Sequence, residues 1–439
     1  MDILSVLKSR LEIVDDSVTS KELVDRLVAR GPLEESLHLT ELDTLVKRHY
    51  QWLKHLPRVR PFYAIKSNDE PSIVETTILL GCGYDCASTG ELKRILGFRV
   101  EPERIMFGQP MKTIESLELA KKMKLRTVFD TEDELRKIHQ YYPEANVVIR
   151  FRLETAEDSL NLGIKFGCEV DVEARELLDL AKELGINVIG WCFNLGHACI
   201  NPKNFYTGIK KGKALTDYAE SLGFKFNLID LGGGFSGDKD VSIEQYAEQI
   251  NKGLDEFFPA ELGYMIVAEP GRYYSAAAVT AVVPIHGKRF IRSKDNPNDI
   301  EKVFYYFNDG IYATFYSAKY RGKAVKPIVW KQLNECGPTR KTTLYGPTCD
   351  GIDFFAKDIE MPELNVADFV VFENQGAYSR VHACRFNGFS PPKPVIFVRQ
   401  SVWALLEEAS EGDATKVVQE SKYLLENIEF EKLSYASIN

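Results

Sequence analysis

Three residue types at the ends of short apolar runs could do chemistry together: an amine, a carboxylate and a glycine turn. Lys66 closes the run Pro61-Phe62-Tyr63-Ala64-Ile65-Lys66-Ser67-Asn68, just before a helix-like start at Asp69-Glu70-Pro71. A snorkelling surface position is the commoner fate of a lysine, but the apolar flank and the immediate helix start argue against it here. Glu269 ends the run from Met265, and Gly232, Gly233 and Gly234 lie within the run from Asn227 to Phe235. Exposed backbone N–H groups of such glycines suit a phosphate, although a bare glycine run more often marks a turn.

These residues need a frame that brings strand ends together. Apolar runs also lie at Tyr84 to Ser88, Ile105 to Gly108, Arg126 to Asp130, Asn146 to Phe151 and Val188 to Phe193, each followed by an amphipathic segment such as Lys112 to Lys124 or Val172 to Leu184. Eight strands alternating with helices predict a (β/α)8 TIM barrel, whose chemistry lies at the carboxyl ends of the strands. A barrel takes about 250 residues, so a chain of 439 residues is expected to carry a second domain. From about Ala276 the sequence turns rich in β-branched and aromatic residues, with runs at Val279 to Val283, Lys302 to Phe307, Val325 to Trp330, Phe369 to Phe372 and Pro394 to Arg399. The expected division is a barrel at 41–275 and a mostly β domain from 1–40 and 276–439, the first 40 residues adding an edge strand.

Composition narrows the partners. The 55 basic and 64 acidic residues give a net charge of −9 without a dense basic block, which speaks against nucleic acid. No apolar run approaches the roughly 20 residues that span a bilayer, and the start Met1-Asp2-Ile3-Leu4 lacks a signal pattern, so a soluble cytoplasmic protein is expected. The eight cysteines show no CxxC pair and no zinc-finger spacing, which predicts free thiols and no metal.

Six segments in order, PFYAIKSN at 61–68, YDCAS at 84–88, DLGGGF at 230–235, EPGRYY at 269–274, GPTCDGID at 346–353 and ENQGAY at 373–378, resemble the eukaryotic ornithine decarboxylase family of pyridoxal phosphate enzymes over nearly the whole chain. The resemblance implies that Lys66 holds the cofactor covalently and that Glu269 pairs with its pyridine nitrogen, keeping the ring a strong electron sink. It further implies that Gly232, Gly233, Gly234, Arg272 and Tyr378 contact the phosphate and that Asp85 and Arg150 lie near the cofactor. Cys349 and Asp350 match residues that reach into a partner's active site, the cysteine for protonation of the carbanion and the aspartate facing the distal end of the substrate. Lys165 and Asp353 match a pair that bridges subunits, so a homodimer with shared sites is implied.

The chain departs from the family at three places. Where the family reads a motif like FHVGSG, with a histidine stacked on the cofactor ring and a serine on the phosphate, this chain has Phe193-Asn194-Leu195-Gly196-His197-Ala198; Asn194 and His197 are expected to replace them as cofactor contacts. Where ornithine enzymes read YDHA, with an aspartate on the distal ammonium, it has Tyr320-Arg321-Gly322-Lys323. At about 4 Å and an effective dielectric of roughly 20, like charges repel by about 4 kcal/mol, nearly three decades in affinity. With Arg321 inward and paired to Asp350, the pocket suits a neutral aliphatic amino acid such as leucine, held by Tyr320, Arg321 and Asp350. Three other readings stand beside it: ornithine remains the substrate with Arg321 turned to solvent, Arg321 grips an acidic substrate, or the chain is an inactive regulator like the antizyme inhibitors. Third, Glu118 stands where the antizyme-binding segment of the family, here Glu115 to Lys137, carries a lysine, so weak or absent antizyme binding is expected.

Overall fold

The computed structural model describes residues 2–30, 34–154, 165–196, 198–320, 322, 324–428, 430–434 and 436–437. In chain order the strands are β1 (Leu11–Val14), β2 (Leu37–Glu41), β3 (Val59–Ala64), β4 (Gly83–Cys86), β5 (Ile105–Phe107), β6 (Arg126–Phe129), β7 (Asn146–Arg150), β8 (Asn187–Cys192), β9 (Leu228–Asp230), β10 (Met265–Ala268), β11 (Val279–Arg292), β12 (Ile300–Phe307), β13 (Ile328–Val329), β14 (Thr339–Tyr345), β15 (Phe354–Pro362), β16 (Phe369–Phe372) and β17 (Lys393–Arg399). Strands β3 to β10 run in parallel and close β10 onto β3. This is the eight-stranded barrel that the alternation predicts.

Side-chain alternation sorts the barrel interior into layers. A dry middle layer holds Phe62, Met106, Val128, Val148, Leu228 and Val267. A Cβ on Gly83 would collide with the Phe62 ring, so glycine on β4 makes room for that aromatic. Two residues further along the same strands, at their carboxyl ends, come Asp85, Gly108, Asp130, Arg150, Asp230 and Glu269. The same period that builds the core thus places a charged layer on top of it.

The second sheet has the order β1-β17-β2-β11-β12-β14-β15, with β16 also paired to β11 and β13 paired to β16. The first half of β11 pairs with β2 and β16 and its second half with β12. Both ends of the chain therefore meet in one sheet, with β1 on its edge against β17. Three local departures from the sequence reading have plain causes. The run 227–235 is a strand only over Leu228–Asp230, because Gly232 and Gly234 take φ of 60° and 116° and turn the chain. Lys66 lies in the 3-10 turn Ile65–Ser67 beyond the end of β3, and the following helix Pro71–Leu79 is capped by the Glu70 carboxylate. Residues 276–439 also contain the helices Gln400–Glu411, Ala414–Glu420 and Lys422–Asn427, whose Leu405, Leu406, Val418 and Leu425 share one core with Leu45 and Val46 of the barrel helix Leu42–His55. Among the described residues no helix is long and apolar enough to cross a membrane.

A buried ion pair fixes the loop after β5. Lys112 Nζ lies 2.9 Å from Glu134 Oε1, both side chains fully buried, and Lys137 Nζ lies 2.5 Å from Glu134 Oε2. Burial, opposed by Glu134, pushes the Lys112 amine down to about 8. Replacing Glu134 by Ala leaves a buried ammonium without its counter-charge and should cost about 3–5 kcal/mol in urea unfolding. The loss should shrink as pH rises and Lys112 deprotonates; a loss below about 1 kcal/mol at neutral pH would contradict this account.

Candidate active site

The carboxyl ends of the barrel strands enclose a cavity of about 560 Å³. On its floor and sides lie Lys66, Asp85, Arg150 and Glu269, at one end Gly233, Gly234, Gly271, Arg272 and Tyr378, and along the outer wall Phe166, Tyr316 and Tyr320. Lys66 Nζ donates to Asp85 Oδ2, and Asp85 itself is 2% exposed. Burial opposes the charge of the Lys66 ammonium, but the Asp85 and Glu269 carboxylates beside it prevail and hold its pKa above the ordinary lysine range. Gly108 has no Cβ because one would collide with Asp85 Oδ1. The glycine on β5 is therefore what lets the Asp85 carboxylate stand beside Lys66.

Glu269 follows β10 and accepts a hydrogen bond from Asn194 Nδ2 at 3.3 Å, while Asn194 Oδ1 accepts from the Gly196 N–H at 2.9 Å. Burial, then Asp85 and Asp230, push the Glu269 carboxyl well above the usual carboxylate range. Burial also raises Asp230, against the Gly232 N–H that stabilises its charge. Arg150 faces the same layer and lies over the Phe166 ring at 5.3 Å, with Lys165 over that ring at 4.9 Å. Tyr378 takes φ of 54°, its N–H donating to Ser67 O at 2.8 Å, and its ring packs 5.2 Å from the Arg272 guanidinium.

The sequence-derived residues divide accordingly. Lys66, Asp85, Arg150, Asn194, Gly233, Gly234, Glu269, Arg272, Tyr320 and Tyr378 converge on the cavity. Gly232 does not: its N–H donates to Asp230 Oδ1 at 2.8 Å and its carbonyl accepts from the Glu269 N–H at 2.7 Å. That N–H is engaged within the chain, whereas Gly233 and Gly234 line the cavity where a phosphate would lie. His197 and Arg321 lie outside the described residues. Cys349 is exposed on the turn between β14 and β15, away from the cavity of its own chain, and the neighbouring Asp350 accepts from the Tyr312 hydroxyl. Asp353 is buried and takes the Ile311 N–H on Oδ1 and the Thr348 N–H and hydroxyl on Oδ2, so an ion pair to Lys165 of a partner would have to replace these bonds. Sequence reading missed Tyr316, Phe166 and Asp230; the last had a signal, since it stands two residues before the first of the three glycines, on the inward-facing period of β9. Among the described residues no group of three or more His, Cys, Asp and Glu could hold a metal ion.

Residues 42–276 match the family model of the pyridoxal-dependent decarboxylase, pyridoxal binding domain. The chain is 35% identical over 408 residues to the ornithine decarboxylase of Rattus norvegicus, covering 90% of this chain and 88% of the relative. It is 34% identical over 417 residues to antizyme inhibitor 2 of Xenopus laevis, covering 93% and 91%. Among solved structures, the Paramecium bursaria Chlorella virus arginine decarboxylase bound to agmatine superposes with a TM-score of 0.79 at 32% identity, covering 86% of this chain and 100% of that one. The cavity fits pyridoxal phosphate: a glycine turn and a guanidinium at one end, a carboxyl of raised proton affinity on the floor, and an amine within the same space.

The glycine turn gives a direct test of this geometry. A Cβ on Gly232 would collide with the Phe193 carbonyl oxygen, at a left-handed φ that a side chain strains to adopt. Gly232→Ala should therefore lower stability by about 3 kcal/mol and weaken pyridoxal phosphate binding; thermal melting with and without the cofactor measures both.

Proposed function

Since this chain belongs to the pyridoxal-dependent decarboxylases, and so is an amino-acid decarboxylase that uses pyridoxal phosphate, we propose that its substrate carries a neutral aliphatic side chain, leucine being the type case. One observation carries the reading. Among the described residues lining the cavity the only carboxylates are Asp85 and Glu269, Asp85 bonded to Lys66 and Glu269 to Asn194. Neither is available to anchor a distal ammonium. The outer wall instead offers Tyr316 and Tyr320, with ring centroids 4.8 Å apart, a surface suited to apolar contact. Asp350, the other acid that could grip an ammonium, has its charge met by the Tyr312 hydroxyl, and the exchange of a carboxylate for Arg321 adds repulsion against a cationic substrate.

When bound, pyridoxal phosphate supplies an aldehyde that captures the amino group and a ring that accepts the electron pair released as CO2 leaves. Lys66 would hold the group through its amine and give it up to a substrate amine. Asp85 holds the displaced Lys66 amine protonated and in reach. Gly233, Gly234 and Arg272 clamp the phosphate, and Glu269 holds a proton at the pyridine nitrogen. Cys349 of a second subunit delivers the proton to Cα, which makes a homodimer part of the mechanism. The convergence of Lys66, Asp85 and Glu269 supports an enzyme over a regulator. Glu118, exposed on the helix Ile114–Lys122, adds negative charge where the family's antizyme-binding segment carries a lysine, so antizyme retention in a pull-down should fall well below that of an ornithine decarboxylase; equal retention would refute that part.

The specificity is tested by CO2 release on a panel of amino acids. Leucine should exceed ornithine in kcat/KM by about two to three orders of magnitude. Lys66→Ala should abolish turnover and Arg321→Asp should shift preference toward ornithine or lysine. Efficient conversion of ornithine to putrescine by the unmodified enzyme would overturn the proposal.

A further inference from the structure

Beneath the cavity floor one ionisable group has no part in the reaction so far. Asp230 is 0% exposed, Oδ1 accepts from the Gly232 N–H at 2.8 Å, and Oδ2 is buried with no N–H or hydroxyl donor in reach among the described residues. A buried carboxylate oxygen without a donor is costly. Strand register says what lies near it. Asp230 stands opposite Val267 and Cys192, and Leu228 and Val267 both point into the barrel. By alternation Asp230 and Glu269 point inward too, on neighbouring strands and two residues out of register, a diagonal pair whose side chains reach each other. The groups facing Asp230 are Glu269 just after β10, Asp85 from β4, Arg126 from β6, Arg150 from β7 and Cys192 from β8, with Lys66 and Asp130 farther round the same layer. With Arg126 counted, four carboxyls against three cations still leave the surroundings of Asp230 short of positive charge, and a proton shared across the diagonal acid pair relieves that shortage.

We propose that Asp230 is a positioning residue of the reaction: it shares one proton with Glu269 in the cofactor-free chain, and its negative charge keeps the Glu269–pyridine nitrogen pair protonated to higher pH once pyridoxal phosphate is bound. The proposal rests on the reading of Glu269 as the partner of that nitrogen. In the step itself the Glu269 O–H bond breaks and an N–H bond forms at the ring nitrogen, with no other bond changed. The raised proton affinity of both carboxyls accords with this. Any group that removes the charge of Asp230 lowers the affinity of the pair for its proton. Asparagine does so while still accepting the Gly232 N–H.

The test uses full-length, cofactor-free protein titrated with pyridoxal phosphate and followed by absorbance from neutral to alkaline pH. For Asp230→Asn the alkaline fall in affinity should begin about one pH unit lower than in wild type, about a tenfold loss in that range. In a Glu269→Gln background the same change should have no further effect. An unchanged pH profile, or an equal shift in the Glu269→Gln background, overturns the proposal. Infrared difference spectra of the wild-type chain need no variant: loading the cofactor should remove a protonated-carboxyl band, and a spectrum without that loss also overturns it. Glu269→Gln binding as tightly as wild type would sink the reading of Glu269 and the proposal with it, whereas failure of the Asp230 arms alone leaves that reading standing.

Discussion

The concentration of ionisable groups in one layer of the barrel interior is the constraint on which the rest depends. Asp85, Asp130, Asp230 and Glu269 share that layer with Arg150, and Lys66 stands at its rim. Water is excluded from below by Phe62, Met106, Val128, Val148 and Val267, so each charge is tolerated only through its neighbours. The ammonium of Lys66 is favoured because carboxylates face it, and burial together with Asp85 and Asp230 raises the proton affinity of Glu269. A site with surplus negative charge favours a cofactor ring that becomes a cation once it is bound there. The electrostatic poise exists before any ligand does.

Glycines make this crowding possible. Gly83 admits Phe62 to the dry layer and Gly108 admits the Asp85 carboxylate above it. Gly232 uses both of its backbone groups to tie β9 to β10, one through Asp230 and one through the Glu269 N–H. The backbone thereby sets the height of Glu269, and the next two glycines are left to face the cavity. The second sheet completes the enclosure: Tyr316 and Tyr320 from the helix Tyr316–Tyr320 and Tyr378 from the loop after β16 form the wall that the barrel alone lacks. Because this sheet is knit from both ends of the chain, the wall is fixed to the barrel through the helix Leu42–His55 as well as through β11.

Much of the site was legible because it follows a period of two. Lys66 and Glu269 each close an apolar run and Asp85 and Arg150 lie within one, and runs of that kind in a barrel bring their ends to one face. What was not legible depends on backbone direction. Gly232, Gly233 and Gly234 read alike in sequence, yet only the last two face the cavity, since φ at Gly232 turns its N–H onto Asp230. Asp353 reads as a residue for another subunit, but its carboxylate bonds two donors of Thr348 in its own loop and the Ile311 N–H from the segment after β12. Asn194 reads as a flat face for a ring, while its amide bridges Glu269 and Gly196.

The residue order by itself determined the barrel, the second β domain, the amine and carboxylate at strand ends, and the change of charge at Arg321, because hydrophobic period and local motif are encoded over a few residues. The tertiary structure alone decided which carboxylates share the sealed layer, which glycine N–H groups are open, and that Tyr316 faces the cavity. Those outcomes depend on distances between segments far apart in the chain, and burial there alters proton affinity through every neighbour at once.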